Sequence, residues 1–484
     1  MNDSIRNNLS RLLWVIILAF SLGILASCQR EGSSGNREKT MTDTPTRPIA
    51  SLQPASSPTP ANTPAYLVPM EDLRELQVVF WHPWVGEMAD EVDELVDRFN
   101  QTNEWGIHVI VQGTGSNMAL ADRLESALDG VETPQIIVAP SDTLHAWHER
   151  DGIILTLDDF VMDAQYGMVT TGQSAGFPAV AWWQDQSNGV QIAIPAQRGL
   201  HVMLYNRTWA KELGFFNSPD SKETWREQAC AAAEALATDS IGANDGTGGW
   251  LVNTDGVTVY AWLRVFDLQN AYDSQNDSFS FEQIESNQAF TFLKEMADEG
   301  CAWIGRNPLP YEYFASRNAL FISIDLTDLE AQVEINKRLG VADEWLILPY
   351  PGTEKPVTII SGLSYGILES NPQKELASWL FVRWMSLPDA QARLLLAGGG
   401  VPLSPGAMEI AGEALPAYSQ WQTALSFIPL TEPPPITGAW QEARYILGDA
   451  AWYALQSNVS IERIPEILGE LDATISEVLE YKGY

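Results

Sequence analysis

The chain is poor in basic residues, histidine and cysteine for its length. Of 484 residues, 28 are Lys or Arg against 63 Asp or Glu, and 5 are His. The net charge is −35; residues 1–27 hold Arg6, Arg11 and Asp3, which sum to +1, so the remainder carries −36. A surface this acidic repels nucleic acid and anionic lipid, so no nucleic-acid partner is expected. It also disfavours a highly anionic small ligand unless a local basic pocket overrides the field; neutral and cationic ligands are easier. Acidity that serves only solubility is an equal alternative. Gly-x-Ser-x-Gly spacing occurs at 172–176 and at 362–366, but the spacing alone is weak and no hydrolase nucleophile elbow is expected. Gly113-x-Gly115 lacks the third glycine of a dinucleotide fingerprint. His145, His148 and Glu149 have helical spacing that could ligate a metal. Zinc needs three or four such ligands, however, and His82, His108 and His201 are scattered. No metal and no cofactor is expected.

One apolar run, Leu12 to Ala26, follows Arg6 and Arg11 and ends in Leu25-Ala26-Ser27-Cys28. It is too short to span a bilayer comfortably and reads as a secretory signal over residues 1–27. A cysteine directly after Ala-Ser is the lipobox pattern, in which the Cys28 thiol is acylated and becomes the new N-terminus. The alternative is an ordinary signal with a chance cysteine. The chain is thus expected outside the cytoplasm, lipid-anchored to the outer face of the cytoplasmic membrane. Residues 28–72, rich in Ser, Thr and Pro, read as a disordered tether. Beyond it no run is long and apolar enough for a second span. Cys230 and Cys301 are the other two cysteines. In an oxidising compartment they favour a disulfide, with two buried thiols as the alternative.

The folded part alternates short β runs with longer helical patterns, the mark of α/β units. Strands are expected at 76–81, 108–112, 136–139, 190–195 (ended by Pro195), 202–205, 320–324 and 345–348. The acidic segment 87–100 puts Val92, Leu95, Val96 and Phe99 on one helical face. Further helices are expected at 118–128, 144–150, 224–237, 285–299, 374–385, 389–397, 440–455 and 464–481.

Several blocks, in order, resemble the extracellular solute-binding proteins of ABC importers, in the class that includes maltose-binding protein. The opening LQVVFWHPWVGEMADEVDELVDRFNQTN is similar to the family's aromatic strand and following helix. Thr133-Pro134-Gln135-Ile136-Ile137-Val138 resembles its Gly-x-x-Pro-Asp-Val-Val strand. Ile194-Pro195 through Leu204-Tyr205-Asn206-Arg207 looks like its first crossover. Thr224-Trp225-Arg226-Glu227 resembles a helix start, and Ser361-Gly362-Leu363-Ser364-Tyr365-Gly366-Ile367 the second crossover. Trp379 to Gln391 resembles its helix pair. Arg317 stands where the family usually has glycine. Gly199 falls where maltose-binding protein has an acidic ligand contact.

The resemblance implies a two-lobed periplasmic-binding-protein-like α/β fold of type II with hinge segments. Lobe 1 would comprise 73–193 and 323–360, and lobe 2 194–322 and 361–484. A small-molecule ligand, a carbohydrate on this reading, would be captured between the lobes of a monomer and delivered to ABC permease subunits without chemistry. Ligands of open α/β sheets bind beyond strand C-termini. The chain has 18 Trp, and aromatic faces stack on sugar rings. Candidate ligand contacts are therefore Trp84 and Glu87 after the first strand, and Ser141 and Asp142 after the third. Arg198 and Trp250 follow, then Ser323 and Asp325 after the strand at Leu320. Ser361 and Gly362 lie at the second crossover; Trp440 and Arg444 share a helix face. Core packing is the alternative for each tryptophan, close chain crossing for Ser361 and Gly362, and a surface salt bridge for Arg198. Rival functions are a surface carbohydrate-active hydrolase, which needs two facing carboxylates, and a binder of a polyamine, metal complex or phosphorylated polyol.

Overall fold

A computed structural model describes residues 68–484, apart from 129–132, 169–175, 306–309, 353–354 and 413–418. Cys28, the signal and most of the tether lie outside the described residues. Among the described residues no helix is long and apolar enough to cross a membrane.

The first units are β1 (Gln77–His82), α1 (Glu87–Thr102), β2 (His108–Gly113), α2 (Asn117–Leu128), β3 (Ile136–Pro140) and α3 (Ser141–Glu149). All three strands are parallel. α1 buries Val92, Leu95, Val96 and Phe99, the face its sequence period marks. Then come β4 (Ile194–Asn206), α4 (Lys222–Ala237), β5 (Gly248–Leu251), α5 (Gly256–Val265), α6 (Ile284–Asp298), β6 (Ala302–Trp303), β7 (Ala319–Asp325), β8 (Trp345–Leu348) and β9 (Thr358–Ile367). The chain ends with α7 (Pro372–Met385), α8 (Pro388–Gly398), β10 (Thr431–Glu432), α9 (Trp440–Ala454) and α10 (Ile464–Lys482).

One sheet joins them in the order β6-β5-β7-β4-β9-β3-β1-β2, with β8 on β4 and β10 on β9. Its centre is the antiparallel pair β4 and β9, registered from Ile359↔His201 to Tyr365↔Ile194. These two long strands run through both halves of the molecule. Along β4, Val202 and Leu204 enter the core on one face while Met203 and Tyr205 enter the core on the other, so both faces are covered. Pro195 does not end a strand as expected. β4 continues through it, and the β9 register slips beside it between Leu363 and Ser364. That irregularity accommodates a residue with no N–H to donate. Gly362 is needed where the two strands meet: a Cβ there would lie 2.2 Å from the Gln197 carbonyl oxygen.

The expected lobe boundaries differ from the pairing. β8 and the end of β7, within 323–360, pair with residues 201–206 of β4 rather than with β1–β3. α7 and α8, expected in lobe 2, pack on α1 and β1; Phe381 meets Phe80 at 5.4 Å between ring centroids. Long-range pairing decides this, and a strand's own pattern carries no information about it. Arg317 adopts φ 58°, the left-handed region natural to glycine, held by Asp343 at 2.7 Å and Glu212 at 2.7 Å.

Cys230 and Cys301 form the favoured disulfide, tying α4 to the turn after α6. Beneath the β4–β9 crossing, Arg198 and Asp185 are wholly buried and paired at 2.8 Å. Arg198 Nη1 donates to the Leu363 carbonyl at 2.6 Å, and Ser364 Oγ donates to Asp185 at 2.7 Å. Removing one member leaves the other charge buried and uncompensated. Asp185→Ala should therefore lose about 3–5 kcal/mol of unfolding free energy in urea titrations, far beyond a surface Asp→Ala change.

Candidate functional site

Two adjoining cavities lie over the β4–β9 crossing, and Asn117 and Leu363 line both. The larger, about 720 Å³, is lined by the α2 and α3 N-termini (Asn117, Met118, Ser141, Asp142) and by Ser361 and Gly362 of β9. Its remaining wall comes from Pro434 to Thr437 and from Trp440, Glu442, Arg444 and Tyr445 of α9. Elements from both halves of the sheet thus converge on one space, beyond the C-terminal ends of β1 and β3. The smaller, about 510 Å³, is lined by Trp84, Glu87, Gln197, Thr327, Asp328 and Glu330.

Its polar groups are held from below. Ser141 Oγ donates to the Gln184 carbonyl at 2.7 Å and lies 2.9 Å from Asp185 Oδ1. Asp142 Oδ2 is 2.7 Å from Arg444 Nε, so α3 and α9 are joined by an ion pair at the cavity wall. Arg444 also stacks over the Tyr445 ring at 4.5 Å. Ser361 Oγ lies 3.0 Å from His201 Nε2, and His201 is 3.4 Å from Asp325. Trp84 Nε1 donates to Gln197 Oε1 at 3.0 Å, which fixes the indole at the mouth of the smaller cavity. Burial and the neighbouring Asp325 charge push the Asp328 carboxyl up to about 6.

Of the sequence-based candidates, Trp84, Glu87, Ser141, Asp142, Ser361, Gly362, Trp440 and Arg444 line one cavity or the other. Trp440 is 1 % exposed and does so mainly as packing, against Tyr260 and Phe279. Trp250 does not reach the site. It lies mid-sheet under α4 and α5, with Trp225 and Trp262 centroids at 5.8 and 5.6 Å. Arg198 is in neither cavity and makes no surface salt bridge; it is the buried partner of Asp185. Ser323 is buried beneath the cleft, off both linings. Asp325 lies just below. It accepts from Thr327 N at 2.8 Å and Thr327 Oγ1 at 2.7 Å, and its carboxylate covers Gly199, where a Cβ would be 2.0 Å from Oδ1. An acidic group thus does stand at that point of the first crossover, supplied by the neighbouring strand. Gln184, Gln197, Thr327, Ile436, Tyr445 and Lys482 line the cavities but were missed. Lys482 comes from the end of α10, and no local pattern marks it.

The model of the bacterial extracellular solute-binding protein family matches residues 94–422. The chain belongs to this family. It is 22 % identical over 348 residues to the sn-glycerol-3-phosphate-binding periplasmic protein UgpB of Salmonella typhimurium, spanning 69 % of this chain and 76 % of that protein. Among solved structures it is similar to UgpB of Mycobacterium tuberculosis in complex with glycerophosphocholine: TM-score 0.70, 15 % identity, 84 % of this chain and 99 % of that one. It is likewise similar to the sugar-binding protein MalE of Xanthomonas citri, with TM-score 0.67, 19 % identity, and 84 % and 98 % covered. The fold is therefore the two-lobed, type II binding-protein architecture, and the cavities lie in its cleft. As a family member the chain is an extracytoplasmic substrate-binding protein of an ABC transporter. The family and these relatives are binding proteins rather than enzymes.

In this solute-binding protein the histidine pair first considered for metal is engaged otherwise. His148 Nδ1 meets the Ile154 carbonyl at 3.1 Å. His145 meets Glu149 Oε1 at 3.1 Å through Nδ1 and the Gln184 carbonyl at 2.8 Å through Nε2. Both partners are acceptors, which suits an imidazolium with two N–H donors. Burial opposes that charge, but the Glu149 and Gln184 hydrogen bonds and the charges of Glu149 and Asp185 outweigh it, so the His145 pKa is raised. Burial would raise Glu149, yet bonds from His145, Gly438 N–H and Ser187 hold it below the usual carboxylate range. Glu149 accepts from Gly438 N at 2.8 Å, so the pair braces α3 against the segment leading into α9. A raised His stabilises fully below its unfolded 6.5 and loses this as pH rises through the folded value. A depressed Glu stabilises fully above 4.5 and loses this as pH falls through its own folded value. The melting-temperature gap between wild type and Glu149→Gln should thus be widest between pH 4.5 and 6.5 and narrow on both sides. A gap constant from pH 4 to pH 8 would mean that the two groups carry no charge coupling.

Proposed function

We propose that the chain captures an uncharged carbohydrate in the cleft and hands it to an ABC permease, without altering it. The observation that carries this is the composition of the larger cavity. Hydroxyls of Ser141 and Ser361, the aromatic Tyr445, and an Asp142–Arg444 pair joining α3 to α9 all line one space. Such a mixture suits rings with polar edges and apolar faces. Its carboxylates are engaged, Asp142 by Arg444 and Glu442 by Lys482 at 3.3 Å, which does not favour glycoside hydrolysis by a free carboxylate pair. The glycerol-phosphate and sugar ligands in the relatives' names support a small polyol class. Closure about residues 197–199 and 361–363 would bury the ligand, and the permease would read the closed form.

On this reading the protein works as a monomer. The Cys28 thiol carries the lipid that anchors it to the outer face of the cytoplasmic membrane, and residues 28–72 hold it off the surface. Radiolabelled fatty acid should be incorporated into the wild type and not into Cys28→Ser, which should be found free of the membrane fraction.

A thermal-shift panel of mono- and oligosaccharides, polyamines and glycerol phosphates tests the ligand. At a concentration one-hundred-fold above Kd the true ligand adds about 2.7 kcal/mol of stability. A saccharide should raise Tm by several degrees and shrink the radius of gyration in solution scattering. A shift only with polyamines, or release of cleaved glycan, would sink the proposal.

A further inference from the structure

Gln184 lines the larger cavity, yet nothing so far gives its side chain a task. The residue is 3 % exposed. Its amide Nε2 donates to the Ile360 carbonyl at 2.6 Å. A carbonyl only accepts, so the amide nitrogen must face Ile360 and the amide oxygen must point away from it. That oxygen, Oε1, has no hydrogen-bond partner among the described residues. The backbone cannot shift to find one, because the Gln184 carbonyl already accepts from Ser141 Oγ at 2.7 Å and meets His145 Nε2 at 2.8 Å. A buried acceptor held without a donor is unfavourable, and folded proteins keep few of them.

We propose that Gln184 Oε1 is a ligand-reading acceptor in the cleft floor, which takes a hydrogen bond from a hydroxyl of an uncharged polyhydroxylated ligand. This rests on the solute-binding reading above and names the chemistry of one point in that site. The Ser141 hydroxyl proton is directed at Gln184 O and Asp185, so Ser141 too offers lone pairs rather than a donor. The floor therefore asks for donors. The cations lining this cavity have partners: Arg444 has Asp142 at 2.7 Å, Lys482 has Glu442 at 3.3 Å and His145 has Glu149 at 3.1 Å. A phosphate monoester would bring acceptors to acceptors and would have to break an existing ion pair. An ammonium could donate, but the carboxylates facing it here, Asp142 and Glu442, are already paired. A hydroxyl donates to Oε1 without any charge to neutralise.

The test is calorimetric titration of the purified full chain and of Gln184→Met. The probes are maltotriose, glucose and xylose, the monodeoxy analogues of whichever binds most tightly, and sn-glycerol 3-phosphate. The wild type should bind a saccharide, and one monodeoxy analogue should bind about 10-fold or more weakly. Gln184→Met should weaken the parent saccharide by a similar factor and should no longer distinguish it from that analogue; a merely structural residue would weaken all analogues alike. Equal affinity of wild type and Gln184→Met overturns the inference and leaves the carbohydrate reading standing. If circular dichroism shows Gln184→Met unfolded, the wild-type analogue series decides, and undiminished binding of every analogue overturns the inference. Preference for sn-glycerol 3-phosphate overturns it as well, while solute binding stands. Binding of none of these probes removes the carbohydrate reading, and the inference falls with it.

Discussion

The pairing of strands 194–206 and 358–367 is the constraint on which the rest depends. Both strands belong to both halves of the sheet, and β3, β7, β8 and β10 pair directly on them. Their middle is held by a fully buried Arg198–Asp185 ion pair with the Leu363 carbonyl and Ser364 as further partners. Two charges removed from water persist when further hydrogen bonds of this kind support the pair. The same Asp185 reaches up to Ser141, so the interaction that fixes the crossing also fixes a hydroxyl in the cleft floor.

A second tie runs above the crossing. α3 contacts the segment leading into α9 through Glu149 and Gly438, and its own first turn meets α9 through Asp142 and Arg444. The cleft wall is thus assembled from residues about 300 positions apart in sequence. None of them could be oriented by its own helix alone. Charge inside the cleft is mostly internally compensated, while the smaller cavity keeps Glu87, Asp328 and Glu330 as acidic lining. That local balance follows the acidity of the whole chain.

Much of the fold was legible in the sequence because its elements are locally consistent. The α1 stripe, the strand at 345–348 and the helix starts near 222, 372 and 440 stand within about two residues of where periodicity puts them. Pro195 misled because a proline usually ends a ladder; the register slip that tolerates it leaves Ala196 unpaired and shows only in the pairing with Leu363 and Ser364, a segment 169 positions away. Trp250 misled because a glycine-rich approach looks like a loop, whereas the chain enters the sheet at once and is capped by two helices. Gln184 left no local signal at all. Its placement comes from Ile360 and Ser141, which reach it only in the folded chain.

Taken alone, the amino-acid order determined the α/β alternation, the acidic surface, the favoured cysteine pair and a minority of the residues that line the cleft. These follow from periodicity, composition and the position of side chains just beyond strand ends, all of which are local. Tertiary structure alone decided which strands lie side by side, which tryptophans are core, that Asp325 covers Gly199 and that Arg198 is a buried brace. Those outcomes depend on contacts between distant segments, and a side chain's role there is set by what the rest of the chain brings against it.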